Sequence, residues 1–157
     1  MRISEGERIV QRMKFLLGLI GEPHERIDFI FLPAFQDERR YAQFSAGMLL
    51  GNPNGEQVVL YVNPNKRLAE GDDLSVEEIA IHEVRHIVQH RRGSKNYASY
   101  VALWRRMVSI GDPSGRLLSL FVACCDAARG DLLEADAMFV AALAYDLDYP
   151  VHDALVL

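Results

Sequence analysis

The run His82-Glu83-Val84-Arg85-His86 constrains this chain more than any other stretch, because its histidines act together only if the segment is a helix. On a helix, residues i and i+4 share one face about a turn apart, so both imidazoles can reach a single metal ion. Glu83 is then held beside that ion without ligating it, placed to take a proton from metal-bound water. The flanks agree with a helix from Val76 to about Arg91. Ser75 and Glu78 have the spacing of a capping box, and Ile79, Ala80, Ile87 and Val88 would seat the helix on a core.

A zinc ion held this way needs a third protein ligand. The pattern H-E-x-x-H-x-x-G-x-x-H would require Gly at the position of Gln89 and His at that of Arg92, so it is excluded. His90 continues the i, i+4 ladder but lies a further turn along, too far from His82 to close a tetrahedron, and belongs to the helix end. The run Leu133-Glu134-Ala135-Asp136-Ala137 places acids on a small-residue helix able to pack closely against the first. Glu134 is the preferred ligand and Asp136 its alternative. A purely structural role is also available to Glu134, since Asp131 stands three residues before it at capping-box spacing.

The rest of the chain supplies a frame. Its 157 residues are enough for one domain, read here as a single unit over 1–157, and 50% apolar with 25% charged residues is a globular composition. Ser4 with Glu7 precedes apolar positions Ile9, Val10, Met13, Leu16, Leu17 and Ile20, an amphipathic helix stopped by Gly21 and Pro23. Three strands are expected at Ile27 to Leu32, Ala42 to Leu50 and Gln57 to Val62, the last two forming an antiparallel hairpin about Gly51-Asn52-Pro53-Asn54-Gly55. Asn63-Pro64-Asn65 and an acidic link, Glu70 to Asp73, lead to the motif helix. Helices then follow at Tyr97 to Ile110, closed by Gly111-Asp112-Pro113, at Leu117 to Ala128, and from Asp131 to about Asp146. The stripe Tyr97, Val101, Trp104 and Val108 reads as core-facing. This order predicts an α+β domain.

With these elements in hand, the chain resembles the gluzincin metallopeptidases, closest to their minimal members, the minigluzincins and the ImmA/IrrE-type proteases. The resemblance spans about residues 1 to 145, though its specific part is some ten residues. It implies a minimal zincin-like fold of N-terminal helix, small three-stranded sheet, active-site helix and C-terminal helices. It also implies His82, His86 and Glu134 as zinc ligands and Glu83 as general base. Many gluzincins carry Asp or Asn four residues after the ligand Glu, where this chain has Met138.

The function expected from these residues is zinc-dependent hydrolysis of peptide bonds by an endopeptidase acting on a specific intracellular protein. A substrate chain would add to the exposed edge expected at Gln57 to Val62, and Tyr97, Tyr100, Tyr145 and His152 are candidates for steadying the oxyanion. The alternative is an inactive metal-binding module recruited for interaction or regulation. A net charge of -5 argues against nucleic acid as a partner, although six basic residues, Arg85, Arg91, Arg92, Lys95, Arg105 and Arg106, stand against Glu83 alone between 82 and 106. That run reads as a solvated face. No apolar run is long enough for a membrane span, and the N-terminus lacks a signal-peptide pattern, which points to the cytoplasm. There Cys124 and Cys125 are expected as reduced thiols without a catalytic role.

Overall fold

The computed structural model describes residues 3–32, 42–44, 56–62, 73–111 and 115–157. Apolar residues recurring at three- and four-residue intervals produce helices α1 (Ile3–Leu19), α2 (Asp73–Arg92), α3 (Tyr100–Ile110), α4 (Arg116–Ala127), α5 (Leu132–Asp146) and a short α6 (Val151–Leu155). The strands are β1 (Ile27–Leu32), β2 (Ala42–Phe44) and β3 (Glu56–Val62).

The expected α+β class gives way to a mostly helical one. Helices of 17, 20, 11, 12 and 15 residues outweigh strands of six, three and seven, and every regular element described after residue 73 is helical. The physical reason is length. Only 42–44 of the expected strand Ala42 to Leu50 is described as strand, while the Leu- and Ala-rich second half forms four helices among the described residues. The turn 51–55, the segment 63–65 and the link 70–72 lie outside the described residues, as do Asp112 and Pro113.

The strands pair in the order β1-β3-β2. β1 runs parallel to β3, from Ile27 opposite Glu56 to Leu32 opposite Tyr61, and β2 runs antiparallel to it, with Ala42 opposite Val62. The strand expected at the sheet edge is therefore its centre. Both hydrogen-bonding sides of β3 have neighbours, which removes it as a place for an added substrate strand.

Contacts divide the chain into two compact units, 1–80 and 81–157, with the boundary inside α2. In the first, Ile9, Val10, Met13, Leu16 and Leu17 of α1 are buried, as are Ile27, Val58, Val76 and Ala80. The Arg12 guanidinium pairs with the Glu77 carboxylate there. α1 and α2 start at Ile3 and Asp73, so Ser4 and Ser75 fall within the first turns and not ahead of them.

In the second unit, α5 is the central helix, buried at Ala135, Asp136, Ala137, Phe139, Val140, Ala141 and Leu143. α4 and α6 pack on it. From Ile81 to Gln89, α2 is buried everywhere except at the two histidines. α3 departs from expectation. A 3-10 turn, Ser94–Asn96, precedes it, and Ser99 caps it by accepting from the Ala102 amide. The helix buries Leu103 and Met107, leaving Val101, Trp104 and Val108 at 59%, 49% and 56% exposure. Periodicity identifies a stripe but not which side of the helix meets a neighbour. Only Tyr97 of the expected core stripe is buried.

Candidate metal centre

α2 and α5 bring three of the expected residues together within the second unit. His82 and His86, one turn apart on α2, turn their Nε2 atoms to within 3.1 Å of each other, with ring planes near perpendicular at 79°. Glu134 stands in the first turn of α5 and closes the group. Its Oε1 lies 2.7 Å from His86 Nε2, and its Oε2 lies 3.4 Å from His82 Nε2.

Asp131 does cap α5, accepting from the Glu134 amide at 3.2 Å, but the Glu134 side chain faces the histidines. The backbone serves the helix and the carboxylate serves the cluster. Only the Asp131 half of the expected capping box is formed, and the Glu134 carboxylate is left to the histidine cluster.

These separations suit a tetrahedral ion. Bond lengths of about 2.0–2.1 Å from zinc to nitrogen or oxygen imply donor-to-donor edges of about 3.3 Å. Two imidazole nitrogens and a carboxylate oxygen are a donor set that zinc accepts. The three ligand atoms lie within 4.8 Å of one another, the only such His, Cys, Asp or Glu group found among the described residues. The side chains of His82, His86 and Glu134 are 17%, 19% and 18% exposed, so the group is neither sealed nor loose on the surface.

The electrostatics fit a cation site. Burial works against a charged His86, but the hydrogen bond it donates to Glu134, the nearby charges of Glu83 and Glu134, and the bond to Gln89 override it and raise its pKa to about 9. Burial likewise opposes a charged Glu134, and the two histidines more than reverse that, holding its carboxyl well below the ordinary range. Glu83 itself is buried on α2 at 7% exposure.

Asp136, the alternative ligand, is turned elsewhere. It is fully buried, and its oxygens accept from Arg85 Nε at 2.7 Å, Arg85 Nη2 at 3.2 Å and Gln89 Nε2 at 2.7 Å, with Arg106 Nη1 3.3 Å away. Arg85 also donates to the carbonyls of Leu155 and Leu157, both at 2.9 Å. The Tyr97 ring lies beneath the guanidinium groups of Arg85 and Arg106.

This arrangement corrects the solvated basic face. Two of its six basic side chains point inward, and Arg85 has no exposure at all. The motif's Arg85 and the following Gln89 are the residues beside the trio that sequence reasoning missed. A signal did exist, since Asp136 stands between Ala135 and Ala137 in a largely apolar helix and needs a partner if it is buried.

Of the candidate oxyanion residues, Tyr97 is taken into this buried cluster, Tyr100 is exposed, and His152 is exposed beside Asp153 at 3.1 Å. The Tyr145 hydroxyl is buried. His90 is exposed in the last turn of α2, outside the trio. Cys124 and Cys125 are free thiols, and burial pushes Cys124 up to about 11, which leaves it a poor nucleophile. No helix among the described residues is long and apolar enough to cross a membrane. Comparison with family models, curated proteins and solved structures yields no match.

Proposed function

We propose that this chain is a zinc-dependent endopeptidase that hydrolyses peptide bonds of a protein or peptide substrate, in a cytoplasmic setting. The observation that carries the reading is the convergence of His82 Nε2, His86 Nε2 and one Glu134 carboxylate at separations of 2.7 to 3.4 Å. Those three residues would hold the ion. Zinc in such a site acidifies water towards neutrality and polarises a carbonyl.

The remaining work falls to the chain. Glu83 lies next to His82 on α2, buried and close enough for its charge to act on His86. Its carboxylate takes the proton of the attacking water and passes it to the leaving amine, which then departs neutral. With an ion bound, Glu134 would offset one of the two positive charges of a divalent cation. The partial exposure of the trio gives a substrate carbonyl and water a way in.

Glu83→Gln keeps the shape and hydrogen bonding of the side chain and removes its basicity. The variant should bind zinc as the parent does and lose about 10²- to 10⁴-fold in cleavage rate. Cleavage is read as new N-termini after incubation with the proteome of the source cell. Equal cleavage by parent and variant would overturn the peptidase reading. A zinc-loaded parent that generates no new termini would instead favour an inactive metal-binding module.

A further inference from the structure

Gln89 stands three residues after His86 on α2 and is only 1% exposed. Both ends of its amide are matched. Nε2 donates to the Leu133 carbonyl at 2.9 Å and to Asp136 Oδ2 at 2.7 Å. The Leu133 oxygen can only accept, and the same Asp136 oxygen already accepts from Arg85 Nε, so the amino end of the amide must face them. That leaves Oε1 against His86 Nδ1 at 2.8 Å.

An amide oxygen has no proton to give. The proton between the two groups therefore belongs to His86 Nδ1, which donates to Gln89. In the neutral ring the lone pair is then on Nε2, the atom that faces His82 and Glu134. We propose that Gln89 is the positioning residue of this centre: it holds His86 in the Nδ1–H form and aims Nε2 at the point where the other two donors converge. This rests on the reading of His86 as a metal ligand.

The chain of support continues outward. Gln89 is fixed by Asp136, and Asp136 by Arg85. A ligating histidine commonly gives its second N–H to a carboxylate or backbone carbonyl, and here a side-chain amide takes that place. The amide adds no charge to the centre. The carboxylate one step further out is matched by its own guanidinium partners.

Histidine side-chain ¹⁵N–¹H spectra test this in metal-free and zinc-loaded protein. The expected result is a His86 Nδ1–H signal protected from solvent exchange in both states, with Nε2 the nitrogen whose resonance moves when zinc is added. Gln89→Met is close in volume and replaces the amide oxygen with no more than a weak thioether acceptor. It should keep its far-ultraviolet circular dichroism, lose the protection of His86 Nδ1–H, and bind zinc about 10- to 100-fold more weakly in competition with a chromophoric chelator.

Zinc attached to His86 through Nδ1 in the parent protein would overturn the proposal. So would a folded Gln89→Met with a protected Nδ1–H and parental zinc affinity. Should the variant not fold, the parent spectra decide alone. The metal-free signal needs neither zinc nor substrate, so a failure of the peptidase reading is distinguishable from a failure of this one.

Discussion

Two acids two residues apart on α5 lead opposite lives. Glu134 faces a pair of histidines at the partly open side of the helix, where three Lewis bases point at one another. Asp136 is sealed, and the chain's own cations and an amide satisfy its oxygens. Both clusters centre on α2 and α5, with Arg106 of α3 and the Leu155 and Leu157 carbonyls added to the sealed one. The difference is who supplies the positive charge: in the sealed cluster it is the protein, and in the open one it is a proton or a metal ion. The sealed cluster is satisfied by the chain itself, whereas the open one gathers donors that on the proposed reading await an ion.

The comparison breaks most visibly at Asp136. Asp136→Asn removes the charge that Arg85 is buried against, and breaking a buried pair by changing one partner costs about 3–5 kcal/mol. Chemical denaturation of the metal-free protein should register that loss. A change under 1 kcal/mol would mean that Arg85 is matched by the Leu155 and Leu157 carbonyls alone.

Glu134→Gln should do the reverse. Its zinc affinity should fall by more than the 10- to 100-fold expected for an outer-shell partner, while fold stability changes less than in Asp136→Asn. Chelator competition and denaturation measured on both variants would form a crossed pattern. If Asp136→Asn loses the zinc and Glu134→Gln keeps it, the roles of the two acids are exchanged.

A smaller effect sharpens the contrast through protons. Because His86 holds its proton up to about pH 9, zinc binding at pH 7 should release roughly one proton, seen as a binding heat that varies with the ionisation enthalpy of the buffer. Without metal, the raised His86 value stabilises the fold fully below the ordinary histidine pKa of 6.5, and the contribution is lost as pH rises through about 9. The lowered Glu134 value stabilises above the ordinary 4.5 and fades as pH falls below it. The metal-free protein should therefore gain most from this pair between about pH 4.5 and 6.5. Calorimetry that finds no proton release would mean that the His86 ring is already neutral at pH 7 in the metal-free protein.

The legible part of this site was the part written in helical spacing. His82 and His86 announce themselves because four residues make one turn, and the helix around them follows from its apolar flanks. Glu134 was preferred from the sequence, but what keeps Asp136 out of the cluster was not legible, because it depends on Arg85 lying 51 residues away and turned inward. Residue 85 is a variable position of the motif, so nothing local marks it as a partner. α3 failed for another reason. Val101, Trp104 and Val108 do form a stripe, but Leu103 and Met107 form a second, and sequence alone does not say which is covered. The sheet misled through strand length and order, since pairing β1 with β3 is a long-range choice that neither strand encodes by itself.

Arg85 sits between the two histidines on one turn of α2, and its guanidinium is gripped at four acceptors. It works as an indexing pin for the helix. Each residue of an α-helix advances the angular phase by about 100°, so the side that grips Asp136 and the side that carries the imidazoles are set by one shared rotation. A single residue inserted between Arg85 and His86 would put the two sides out of step, and no rigid turn of α2 could restore both. The motif is thus timed as well as spaced.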